Sequence, residues 1–188
     1  MAFERGPEAR CGDCLARPPR HAGVRAAVAY GPVARTLALR LKYAGRAAFA
    51  ETAARLMLRS LPERVALLLP VPLHRRRLWS RGYNQAALIA DALSRLSGVP
   101  SDPLLLTRAR ATPVLRGLNP SVRRRAVAGA FRVDPVRGAS LVGRQVALVD
   151  DVHTSGATAD AATRALLAAG ASSVTIMCWA RVLDDAGD

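Results

Sequence analysis

Lysine is almost absent from this 188-residue chain: of 28 basic side chains, only Lys42 is a lysine. Aromatic residues are scarce as well, at 4%, so a core has to be built from Leu, Val and Ala. Hydrophobic residues still make up 51%, ample for one buried core and far from the composition of a disordered chain. Cysteine occurs only at 11, 14 and 178. Three cysteines cannot build a disulfide framework, and a reducing, cytoplasmic setting is expected. Long apolar runs are missing too. The longest uncharged stretch, between Arg164 and Arg181, is interrupted by Gly170, Ser172, Ser173 and Thr175. It falls short of the roughly 20 apolar residues of a membrane span, so no membrane insertion is expected. Met1 to Glu8 holds acids and a proline where a signal peptide would need an apolar stretch. There is no Gly-x-Gly, and Lys42 is followed by Tyr43 rather than by Ser or Thr. The dinucleotide fingerprint and the Walker A loop are thereby excluded.

Acidic residues are few, 14 in all, which leaves a formal charge of +14. The excess is uneven. Residues 1–63 carry 11 basic and 5 acidic side chains, residues 64–133 carry 13 and 2, and residues 134–188 carry 4 and 7. A G+C-rich genome can account for the preference for arginine, but not for its clustering. A basic cluster points to a polyanion, either nucleic acid or a phosphorylated small molecule.

One domain is the default for this length. Residues 1–23 hold Cys11-Gly-Asp-Cys14 and no apolar periodicity, and read as a tail or small appended module. Folding is expected from Val24, with a strand to Tyr30, a helix from Val33 to Lys42, and a second helix from Ala47 to Leu61. Val65 to Val71 is a continuous apolar run, the mark of a strand buried on both faces. A polar loop is predicted from Pro72 to Gly82. Asn84 to Leu96 then carries apolar residues at helical spacing, stopped by Gly98 and Pro100.

Thr107 to Asn119 has no periodicity and reads as a mobile loop. Asn119-Pro120 suits a helix N-cap and first position, opening a short helix through Arg123, Arg124 and Arg125. Phe131 to Val133 suggests a short strand, Gln145 to Asp150 and Val174 to Trp179 buried strands, and Thr158 to Ala169 a helix closed by Gly170. Buried strands alternating with helices argue for an α/β fold with a mostly parallel sheet flanked by helices.

The most informative stretch is Val146-Ala-Leu-Val-Asp150-Asp151-Val-His-Thr154-Ser155-Gly156-Ala157-Thr158. The carboxyl ends of parallel strands line the ligand crevice, so an acid pair there faces ligand. Adjacent carboxylates repel each other unless sugar hydroxyls or a metal bind them. The hydroxyl-rich turn that follows leads into a helix N-terminus, where backbone N–H groups and the helix dipole hold a phosphate. Together these features describe a phosphorylated pentose site. A receiver domain would carry its acid pair after the first strand, not after one of the last.

The pattern of two apolar residues (Leu148, Val149), two acids, an apolar residue (Val152), one free position, two hydroxyls, Gly156, one free position and Thr158 resembles the phosphoribosyl pyrophosphate (PRPP) signature of type I phosphoribosyltransferases at every constrained position. More narrowly, the chain resembles the competence protein F (ComF) family. The blocks that carry this resemblance are Cys11-Gly-Asp-Cys14-Leu, Leu41-Lys42-Tyr43-Ala-Gly45, Pro70-Val-Pro-Leu-His74-Arg75-Arg76-Arg77, Arg81-Gly-Tyr-Asn-Gln85 and Gly129-Ala-Phe131. It extends over about residues 11–182.

The resemblance implies a type I phosphoribosyltransferase-like domain over 24–188, with a hood at 24–63 and a core at 64–183, behind a short cysteine-containing segment. It implies that Asp150 and Asp151 bind the ribose hydroxyls and that Thr154, Ser155, Gly156, Ala157 and Thr158 hold the 5-phosphate. His74, Arg75, Arg76, Arg77 and Arg81 would belong to the pyrophosphate loop, Thr107–Asn119 would close over the reacting centre, and Lys42 and Tyr43 would lie at the acceptor. Mg2+ would accompany PRPP, and a nitrogen acceptor of unknown identity would displace pyrophosphate. Family members often carry two Cys-x-x-Cys pairs that hold zinc; only Cys11 and Cys14 are present here, half of such a Zn2+ site. Leu115 and Ala126 depart from the Gln and Asn common in the family, which bears on catalysis more than on fold.

A non-catalytic role remains open beside the enzyme: a ComF-like DNA-uptake factor that binds single-stranded DNA or a helicase partner. Trp79 and Tyr83 flank Arg81, and aromatics interleaved with arginine can stack bases. Arg123 to Arg125 would serve nucleic acid or be solvated surface. His21 and His74 read as surface residues, and His153, at a free position of the pattern, receives no direct role.

Overall fold

The computed structural model describes residues 18–32, 46–112 and 119–182, with 15, 34 and 36 as isolated positions. Its centre is a four-stranded sheet built from β1 (Gly23–Ala29), β2 (Val65–Pro70), β5 (Gln145–His153) and β6 (Ser173–Arg181). The order is β1-β6-β5-β2, and every pairing is parallel. A separate antiparallel pair joins β3 (Leu106–Arg108) to β4 (Phe131–Val133).

Side chains alternate across a strand, so each strand feeds two cores. On one face Leu67, Leu69, Val146, Leu148, Val174 and Ile176 pack with helix α5 (Ala157–Ala168), the β3–β4 pair and Val127 of α4 (Pro120–Val127). On the other, Leu68, Ala147, Val149 and Met177 meet α1 (Arg46–Leu58) and α3 (Gln85–Ser97). Alanines do much of the packing, among them Ala53, Ala54, Ala90 and Ala162, all fully buried. Small residues let helices approach a sheet closely, which suits a chain with few aromatics. One aromatic pair does contribute: Phe49 meets Trp179 edge to face at 5.3 Å.

The mostly parallel α/β fold expected from the sequence is thus present, and four details differ. Pro72–Gly82 is not a loop throughout: Arg75–Arg81 forms helix α2, capped by the His74 side chain accepting from the Arg76 N–H and ended by Gly82 at φ +75°. None of its residues is buried, so no apolar periodicity could announce it. The segment expected to be a loop from Thr107 begins in β3, where Thr107 pairs with Arg132. A strand this short has no readable alternation. The central strand runs past Asp150 to His153, and β6 accompanies it, with Asp150 opposite Cys178 and His153 opposite Arg181. The acid pair therefore lies within the last turns of the pleat, held by the ladder. His21 is no surface residue, as described below. The helix expected at Val33–Lys42, with Lys42 and Tyr43, lies largely outside the described residues, as do Cys11, Cys14 and residues 113–118 of the expected mobile loop, Leu115 among them. No helix among the described residues is long and apolar enough to cross a membrane.

Candidate functional site: an anion cleft at the end of the central strand

Strand β5 delivers the site. Flanked by β6 and β2, it is covered on both faces as far as Val149, and its carboxyl end opens into a small cleft. Asp150, Val152 and His153 form one wall, residues 154–159 the turn and helix start, and Arg123 arrives from α4. The structure thus brings Asp150 together with Thr154, Ser155, Gly156, Ala157 and Thr158, whereas Asp151, expected beside them, is not among the described residues that line the cleft.

The turn owes its shape to Gly156, at φ +72°. An added Cβ would meet only the His153 ring, at 3.5 Å, so backbone conformation rather than space requires glycine here. Helix α5 starts from this residue with no side-chain cap, so the first-turn N–H groups point outward with the positive end of the dipole. Thr154 and Ser155 are exposed beside them.

Asp150 accepts from the Asp151 N–H at 2.9 Å, and Asp151 accepts from the Val152 N–H at 2.7 Å. Burial, and then the neighbouring Asp151 charge, push the Asp150 carboxyl well above the ordinary carboxylate range. The Asp151 N–H and the charge of Arg108 pull it back. A site that raises a carboxylate in this way is relieved by a cation or by hydroxyl donors.

Arg108 falls within the Thr107–Asn119 segment expected to close over the reacting centre, although no individual role was expected of it. It lies over the Phe131 ring at 5.3 Å and donates to the Thr112 hydroxyl. Arg77 donates to the Thr112 carbonyl at 3.4 Å. Burial and then the Arg77 charge draw the Arg108 pKa down, while Asp150 holds it up; a guanidinium nevertheless stays charged. Two arginines thus meet at Thr112, and one of them, Arg108, lies within electrostatic reach of Asp150. Of the residues expected at the pyrophosphate loop, Arg77 is half-buried on this side and His74 serves as the α2 cap. Arg75 and Arg76 face a different, open cleft with Trp79 and Ser80, and Arg81 is exposed.

The histidines depart from expectation. His21 and His153 meet edge to face at 6.4 Å, because the segment before β1 joins the sheet through the Ala22 N–H and the Val174 carbonyl. Burial, then His21 and Arg181, lower the His153 pKa to about 4. A group lowered in this way binds fewer protons in the folded chain than in the unfolded one. Its contribution to stability is full above the ordinary value near 6.5 and is lost as the pH falls towards 4. Over that window the loss is on the order of 3 kcal/mol. We expect His153→Gln to flatten the acid limb of a melting-temperature profile between those pH values; an unchanged profile would refute the assignment.

Burial pushes the Cys178 thiol up to about 12, so it is an inert core residue. Among the described residues, no group of three or more His, Cys, Asp or Glu side chains could hold a metal ion.

The fold and the cleft define a parallel α/β protein with an acid pair and an uncapped helix start at the end of its central strand. Comparison with known proteins specifies the family. The chain is 35% identical over 185 residues to the DNA utilization protein YhgH of Escherichia coli O157:H7, covering 92% of this chain and 78% of that protein. It is 37% identical over 121 residues to competence protein F of Haemophilus influenzae, covering 64% and 51%, and 31% identical over 123 residues to competence protein ComFC of Bacillus subtilis, covering 62% and 46%. The chain belongs to this competence protein F (ComF) family. No family model matches it. Among solved structures, TT1426 from Thermus thermophilus aligns with a TM-score of 0.44 at 17% identity, covering 74% of this chain and 86% of that one.

Proposed function

We propose that this protein binds PRPP with Mg2+ and transfers its phosphoribosyl group to a nitrogen acceptor, releasing pyrophosphate. The observation that carries this reading is the single cleft shared by Asp150 and residues 154–158. Asp150 and Asp151 accept hydrogen bonds from the ribose 2- and 3-hydroxyls, and the N–H groups at the start of α5 hold the 5-phosphate. Donors and a cation at the acid pair relieve the cost that burial and mutual repulsion impose on Asp150, so the residues fit Mg2+. The ion would supply neutralisation of the pyrophosphate charge. As the bond from C1 to pyrophosphate breaks and the new C–N bond forms, Arg77 and Arg108 stabilise the departing anion electrostatically. The acceptor proton passes to solvent. Calorimetric titration with PRPP and Mg2+ tests binding, and pyrophosphate release screened over bases and amines tests turnover; no heat of binding would overturn the reading.

A second reading has its own support. Helix α2 exposes Arg75, Arg76 and Arg81, and its Trp79 is 88% exposed. An indole left almost wholly in water suits stacking on bases, and the relatives are named for DNA utilization and competence. On this reading the chain serves DNA uptake, with α2 holding single-stranded DNA or a helicase partner against it. Affinity for single strands should then fall steeply with salt and fall again in Trp79→Ala; salt-insensitive binding would count against it.

A further inference from the structure

The three consecutive arginines of α4 are not equivalent. Arg123 is half-buried, whereas Arg124 and Arg125 are exposed. Val127, one turn on, is fully buried, and residues four apart share a helix face. Arg123 therefore belongs to the face that α4 turns towards the body of the protein, and it lines the same cleft as Asp150 and the 154–158 turn. Among the described residues lining that cleft it alone carries a positive charge at neutral pH, since His153 is held neutral.

The backbone donors at the α5 start contribute only partial charge, and they would accept many polar groups. A guanidinium presents a rigid, planar fork that matches two oxygens of a phosphate at once. We propose that Arg123 is the specificity residue of this cleft: it makes the site select a sugar bearing a terminal phosphate over the same sugar without one. The inference rests on the reading of the cleft as a phosphate site and assigns to it a side chain from a different element. It also divides the arginine run by role, since Arg124 and Arg125 take no part.

The test is calorimetric titration of the full chain with ribose 5-phosphate, with ribose, and with magnesium pyrophosphate. The variants are Arg123→Ala, Arg123→Lys and Arg124→Ala. The wild type should bind ribose 5-phosphate and discriminate against ribose. Arg123→Ala should weaken ribose 5-phosphate by about tenfold or more while leaving magnesium pyrophosphate unchanged, and Arg124→Ala should change neither. Arg123→Lys, which keeps the charge but loses the fork, should fall between. Should the alanine variant fail to fold, the lysine variant carries the comparison, with the same loss confined to ribose 5-phosphate. Unchanged binding of ribose 5-phosphate, or equal losses on both probes, would overturn the assignment. If the wild type itself ignores ribose 5-phosphate, the phosphate reading of the cleft falls first, and this inference with it.

Discussion

Replacing Asp150 and Asp151 together by asparagine is expected to abolish measurable binding of PRPP with Mg2+, a loss of about a hundredfold or more from the removal of two charged acceptors. The same change should raise the melting temperature of the ligand-free chain at neutral pH. Burial and the Asp151 charge raise the Asp150 pKa in the fold, so the folded carboxyl holds its proton more tightly than the unfolded one. That contribution to stability is present below the ordinary carboxylate pKa and is lost as the pH rises through the folded value. At neutral pH the wild type therefore carries a penalty that Asn does not. In a chain of this length, each kcal/mol recovered raises the melting temperature by roughly 2–4 °C. Calorimetry with and without ligand reads both effects. A variant that melts lower and still binds PRPP would contradict both the electrostatics and the proposed role.

Leu148→Ala is expected to be the most damaging single core substitution along the strand that carries the site. Leu148 is fully buried on β5, the strand paired on both edges by β6 and β2, and belongs to the cluster that includes Leu166 and Ile176. Removing it leaves a cavity under α5, with a cost of about 2–5 kcal/mol and a fall in melting temperature of roughly 10 °C. Leu104→Ala is the control: that residue is 59% exposed, and its loss should stay within about 0.5 kcal/mol. Denaturant melts of the two variants decide the point; equal effects would refute the placement of the core.

Legibility tracked burial. The strands at β2, β5 and β6 were readable because both of their faces are covered, and helices α3 and α5 because one face is. Asn84, Gly98 and the Asn119-Pro120 pair marked helix ends through capping chemistry that is local in sequence. Helix α2 left no trace, having no buried residue. Arg123 could have been found: the cap at Asn119 sets the start of α4, and the i, i+4 relation to Val127 then sets its face.

By itself, the order of residues determined the α/β class, the acid pair, and the glycine turn that opens α5, because each depends on contacts or backbone angles within a few residues. Only the tertiary structure decided which basic groups accompany them. Arg108 reaches the electrostatic field of Asp150 through a strand pair closed by β4, Arg123 lines the cleft from α4, and His21 meets His153 across the sheet. Charge interactions act through space, and the distances that set them arise only once the sheet has brought remote segments together.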